Sequence, residues 1–332
     1  MLDRIHLDFD KLATALRDRG ITEAVHFHTD HFEPTGQIGI SQVEAFLRLC
    51  EGGDSAYARR PSLFHLSTAL NQDGEFRVNE SSIDEDVDIL KFLAAHNVDT
   101  HVHIHHEAWT SGYHSGMSID ADRDAKRLDT YLSLLLPYMR QYVSVPEQWG
   151  FIHGCWALNA SDPNICYISD EIRILAKHGC VGDFSFPAGR SYCDPSTKVP
   201  FDIIPVNRPR SYDSAVADPK VIVEKMRPGH FLIWNAASGF QALSVENIAI
   251  GNLSPGRVLT SWLTSCPVIA GRLYVKTFCH SMNSMFWDNR GGVPPFFSDN
   301  MKIIFDGLSR VCEIGGVRLR YATASEVISE LR

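Results

Sequence analysis

A chain of 332 residues with 44% hydrophobic content is long enough to bury a sizeable core, which excludes disorder as its dominant state. Its 31 Lys and Arg stand against 40 Asp and Glu, a formal charge of −9 with no dense basic run, and this argues against nucleic-acid binding. Eight cysteines without a CxxC pair argue against a zinc-finger or thioredoxin-like motif and read as reduced core thiols.

The opening MLDRIHLDFDKLATALRDRG carries acidic residues and helical periodicity where a secretory signal would carry a basic start and an apolar run, so a cytoplasmic location is expected. No stretch approaches the ~18–20 apolar residues of a membrane span. Residues 10–20 read as a helix closed by a glycine, and 21–28 as a strand running straight into polar residues. A helix over 40–50, a strand over 63–70 and a helix over 82–96 follow, the last with acidic residues crowded into its first turns where the helix dipole favours them. Then come a strand (98–105), a long amphipathic helix (120–142), a strand (151–153), a helix (170–178) and a strand (181–186). Later units are a helix (219–226), strands (231–235 and 273–278), a helix (299–312), a strand (317–321) and a closing helix (324–331). This alternation predicts a single α/β domain over 1–332, a barrel of parallel strands. The Pro- and Gly-rich stretches 187–209 and 291–295 read as long loops over one face.

Three segments carry chemistry. In THVHIHHE, four of the chain's 15 histidines (His101, His103, His105, His106) precede Glu107. Alternation along a strand places His101, His103 and His105 on one face, a geometry a metal site can use; the alternative is hydrogen-bonded core imidazoles. In HFHTDHFEP a strand ends in His28, Asp30, His31 and Glu33. Asp30 offers a hard oxygen ligand and His28 shares its face, although a turn with Asp30 capping backbone amides would give the same pattern. In LYVKTFCHS, His280 ends another apolar strand with Lys276 four residues before it, a plausible neutral-pH proton donor.

Taken in order, these segments resemble a divergent branch of the polysaccharide deacetylase superfamily. That resemblance implies a distorted barrel of parallel strands holding one divalent metal with an Asp and two His. HTDHFEP matches the family's acidic pair in part: either Asp30 is the ligand with His28 at the base position, or Asp30 is the base and His31 the ligand. The family's His pair fits His101 with His105 at a spacing of four, or His103 with His105 as the branch's His-x-His. The branch also shares GFIHGCWALNASD, EIRILAKHGCVGDFSFP, RPRSYD and VKTFCHS, so the likeness runs from about His26 to the C-terminal helix.

The resemblance implies that His280 is the general acid and that His153, Trp156, Asp162 and Arg210 bind substrate. It implies a metal-dependent hydrolase that removes an N-acyl group, acetyl or formyl, from a sugar, using metal-activated water; the expected cytoplasmic location makes that sugar part of a surface-polysaccharide precursor. Zinc is the default ion, with Cys279 and Cys155 as alternative soft ligands. The expected partner is an N-acylated sugar or glycan, with no nucleic acid and no membrane span; the oligomeric state is left open. Two other readings stand beside it: a metal-stabilised, non-catalytic carbohydrate-binding barrel, and a non-haem Fe(II) oxygenase using His28, Asp30 and His280.

Overall fold

The computed structural model describes residues 7–34, 40–52, 60–70, 80–105, 121–282 and 294–332. His106 and Glu107 lie outside the described residues.

Helix α1 (Phe9–Asp18) starts where the Asp8 carboxylate accepts from the Lys11 amide, and it buries Leu12, Ala13 and Leu16. Gly20, at φ +66°, turns the chain into β1 (Glu23–Phe32). This strand runs four residues beyond the expected 21–28 because all ten of its residues are buried and its polar side chains find partners inside the protein. The chain continues through α2 (Ile40–Gly52), β2 (Pro61–His65), α3 (Glu80–Ala95), β3 (Asp99–Ile104), α4 (Ala121–Arg140), β4 (Trp149–His153), α5 (Glu171–Lys177) and β5 (Cys180–Asp183).

The expected helix at 219–226 does not form. A strand, β6 (Phe201–Ile203), lies within the expected loop, and β7 (Lys220–Val221) pairs antiparallel with it. The apolar run here has period two rather than helical period: Ile222 is 3% exposed between Val221 at 52% and Val223 at 70%. After β8 (Phe231–Ile233) come three short helices that periodicity did not announce, α6 (Gly239–Leu243), α7 (Val245–Ala249) and α8 (Pro255–Ser265). The remaining elements are β9 (Val268–Ile269), β10 (Arg272–Cys279), α9 (Asp299–Gly315), β11 (Arg318–Ala322) and α10 (Ala324–Leu331).

The chain forms two compact units, Met1–Ser62 with Ala236–Val327 and Leu63–Asn235 with Ile328–Arg332. Within the first, β1 pairs parallel with both β10 and β11, and β9 adds antiparallel to β10. Its core gathers Leu16, Trp262, Phe305 and Leu308, and the Trp262 indole donates to the Ala242 carbonyl at 2.6 Å. Within the second unit β3, β4, β5 and β8 run parallel in that order, with β6 antiparallel on β8. Phe184 and Trp234 stack in its interior with ring centroids 6.0 Å apart. The fold is thus mixed α/β with mostly parallel strands. Among the described residues no helix is long and apolar enough to cross a membrane.

Strands β5 and β8 approach so closely that Gly182, in register with Leu232, has no room for a side chain: an added Cβ would lie 2.7 Å from the Leu232 Cβ. Gly182→Ala should therefore overpack the pair and destabilise the protein by about 1–3 kcal/mol. A lowered urea midpoint with unchanged slope would be its signature, and an unchanged midpoint would mean that the strands part without strain.

Candidate functional site

In the first unit the site grows from the register of β1 against β10, which sets His28 beside Thr277 and Asp30 beside Cys279. The Thr277 hydroxyl lies 2.9 Å from His26 Nε2 and 2.9 Å from His28 Nδ1. A hydroxyl has one proton to give, so it accepts from one ring and donates to the other. Burial, then the neighbouring His28, hold the His26 pKa well below its ordinary value, so that ring is neutral. One proton arrangement serves every member: His26 donates to Thr277, Thr277 to His28 Nδ1, and His28 Nε2 to Asp30 Oδ2 at 3.3 Å.

Asp30 is fully buried. Its carboxylate accepts from His28, from the Cys279 thiol at 3.0 Å, from the Ser281 amide at 3.2 Å and, at close range, from the Ser281 hydroxyl. Burial and the charge of Asp30 push the Cys279 thiol well above its ordinary range, which keeps it protonated as a donor. His28, Asp30 and Cys279 bring three potential ligand atoms within 4.8 Å of one another, a buried group that could hold a metal ion.

His280 follows β10 and faces the other way. Its Nδ1 and its own backbone amide both lie 2.8 Å from Glu246 Oε1, its Nε2 is 3.9 Å from Glu33 Oε1, and its ring centroid is 4.5 Å from that of His31. Burial lowers its pKa, but the hydrogen bond and charge of Glu246, followed by the charges of Glu33 and Asp30, outweigh that and raise it above the ordinary value. The side chain keeps 26% exposure. A more basic imidazole with access to solvent is the result.

In the second unit the histidines of β3 divide by role. His101 accepts the Gly150 amide proton on Nδ1 at 2.9 Å, so its Nε2 carries the proton and meets Asp99 at 3.1 Å. Both ring nitrogens are thus engaged and the ring stacks on Phe64 at 4.9 Å, the arrangement of a hydrogen-bonded core imidazole. His103 donates from Nδ1 to the Ile152 carbonyl at 2.8 Å, which leaves its lone pair on Nε2, the tautomer a metal-binding imidazole needs. His105 is half-buried, its ring 4.7 Å from that of His103.

Of the expected substrate-binding residues, His153 ends β4 and the others sit on the chain that follows it. Arg210 donates to Asp213 at 2.7 Å and to the Ser191, Tyr192 and Asp194 carbonyls, clamping the 187–209 loop. Asp162 closes an Asx turn, accepting from the Asn164 amide at 2.9 Å. Trp156 is half-buried with φ +59°. His153 is fully buried, its Nε2 3.5 Å from Glu171 Oε1. These hydrogen bonds tie Asp162 and Arg210 into the loop framework. A cleft of ≈ 490 Å³ between α4 and α5, lined by Asp129, Arg173 and Lys177 among others, holds none of the nominated residues.

Sequence reasoning missed Glu246, Thr277 and Ser281. Thr277, Cys279 and Ser281 alternate along the end of β10 and its exit, so their shared face follows from strand alternation. Glu246 was signalled by Ser244, which caps α7, with an acidic residue in the first turn. Comparison of the chain with protein-family models, with characterised proteins and with solved structures returns no match.

Proposed function

We propose that this protein is a metal-dependent hydrolase that removes an N-acyl group, acetyl or formyl, from a sugar of a surface-polysaccharide precursor. The observation that carries the reading is His280: its charge is supported by Glu246, and its ring remains accessible. Such a group can hand a proton to a departing sugar amine at neutral pH, the step that makes amide cleavage difficult without a general acid. The ordered likeness to polysaccharide deacetylases supports the same chemistry, and the distorted barrel of that family belongs to the same proposal.

Within the first unit His28, Asp30 and Cys279 form a buried group that could hold a divalent ion, and within the second His103 carries its proton on Nδ1 with the lone pair on Nε2. When bound, zinc or a similar ion supplies Lewis acidity toward the acyl carbonyl and toward water. Asp30 is fixed by its donors as either ligand or base, while Glu246 holds the His280 ring in one orientation.

One observation favours the non-catalytic carbohydrate-binding reading: His28 and Asp30 are both engaged in internal hydrogen bonds. A single experiment separates the two. The wild type, stripped by chelator and reloaded with zinc, is incubated with N-acetyl and N-formyl sugars, free and nucleotide-linked, and acetate or formate is measured. Metal-dependent release that is lost in His103→Ala supports the hydrolase, whereas glycan binding without release from any substrate supports the binding protein.

A further inference from the structure

We propose that His153, Cys166 and Glu171 form a separate structural metal site, selective for a borderline-soft divalent ion such as zinc, that ties the loop after β4 to the start of α5. The site lies wholly within the second unit and does not depend on the hydrolase reading.

The three side chains come from three places. His153 is the last residue of β4, Cys166 lies on the returning loop, and Glu171 opens α5. All three are fully buried, and one ligand atom from each lies within 4.8 Å of the others. Neither the hydrolase chemistry nor the register of the strands calls for them to converge.

The tautomer and the distances favour a metal over a simple ion pair. His153 Nδ1 contacts the Gly154 carbonyl, so the proton sits there and the lone pair is on Nε2, directed at Glu171. Nε2 and Oε1 are 3.5 Å apart. An imidazolium donating to a carboxylate would close to ~2.7–2.9 Å. A tetrahedral zinc ion with nitrogen and oxygen ligands at ~2.1 Å separates them by about 3.4 Å, the edge of its coordination polyhedron. The other carboxylate oxygen accepts from the Asn159 amide at 2.5 Å, which orients Glu171 as outer-sphere hydrogen bonds orient metal ligands. A thiol as third member adds the softness that distinguishes zinc or cobalt from magnesium or calcium.

The backbone gives the site a purpose. Between His153 and Cys166, four residues that are not glycine, Cys155, Trp156, Asn159 and Ala160, adopt φ of +53° to +59°. Left-handed backbone at residues other than glycine is strained and persists where its surroundings over-determine it. Metal binding to ligands at both ends of the segment contributes directly to folding and would fix that conformation.

The test is cobalt substitution of the full-length protein after chelation. The wild type should develop a near-ultraviolet thiolate-to-cobalt charge-transfer band. That band should persist in His103→Ala and in Cys279→Ser and be absent in Cys166→Ser. Glu171→Gln, which keeps the side-chain shape, should weaken cobalt binding by about a hundredfold or more, since loss of a group one shell further out already costs ~10- to 100-fold. A wild type without the band, or a band that survives Cys166→Ser, overturns the site. If Cys166→Ser fails to fold, the wild-type titration and Glu171→Gln decide it alone: undiminished affinity in Glu171→Gln overturns the proposal.

Discussion

Replacing His280 by Ala should lower kcat for the proposed N-acyl sugar hydrolysis by about a hundred- to ten-thousandfold, the usual range for a general acid, with metal content unchanged. The companion variant Glu246→Gln tests the cause. Glutamine can still accept the Nδ1 hydrogen bond that Glu246 receives at 2.8 Å, but it carries no charge. Burial acts to lower the His280 pKa, and the bond and charge of Glu246 reverse that, so the substitution leaves burial opposed mainly by the more distant Glu33 and Asp30. The sign follows directly. A general acid works while protonated, and a raised pKa keeps it protonated to higher pH, so removing Glu246 should move the alkaline limb of the kcat profile to lower pH. Glu33→Gln should move the same limb in the same direction by less, because Glu33 stands 3.9 Å from Nε2. An alkaline limb that stays in place in Glu246→Gln, or a His280→Ala enzyme at full rate, would remove His280 from the proton-donor role.

The α/β alternation was legible because helices such as α4 and strands such as β3 show their periods over enough residues to be read. What was not legible is instructive. β6 and β7 are three and two residues long, too short for alternation to register, and they exist because β8 offers an edge for β6 to pair with. Helices α6 and α7 are five residues each, where caps such as Ser244 matter more than any apolar stripe. In the site, the sequence singled out His28, Asp30 and His280 but could not show what they touch. Thr277 and Ser281 look unremarkable in isolation, and only strand register brings them to the imidazoles and carboxylate of β1. His101, His103 and His105 are equivalent by alternation. Their neighbours separate them: the Gly150 amide takes one ring nitrogen of His101, and the Ile152 carbonyl fixes the His103 tautomer.

Asp30→Ala should cost about 3–5 kcal/mol of stability, the range seen when one partner of a buried polar cluster is removed. Its carboxylate is fully buried and serves donors from His28, Cys279 and Ser281, groups that would lose their acceptor together in a dry interior. Asp30→Asn keeps the volume but presents an amide nitrogen to groups that are themselves donors, so it should fare little better. Against a total stability on the order of 5–15 kcal/mol, a loss of this size leaves a folded but fragile protein. Activity lost in Asp30→Ala would therefore not by itself identify Asp30 as base or ligand. Ser281→Ala is the cleaner probe: it removes one donor, should cost only about 1 kcal/mol, and leaves the carboxylate in place. Urea unfolding of the three variants reads the order directly. Should Asp30→Ala unfold at the wild-type midpoint, the donors of β10 have found other acceptors, and the cluster is free to be judged by its chemistry alone.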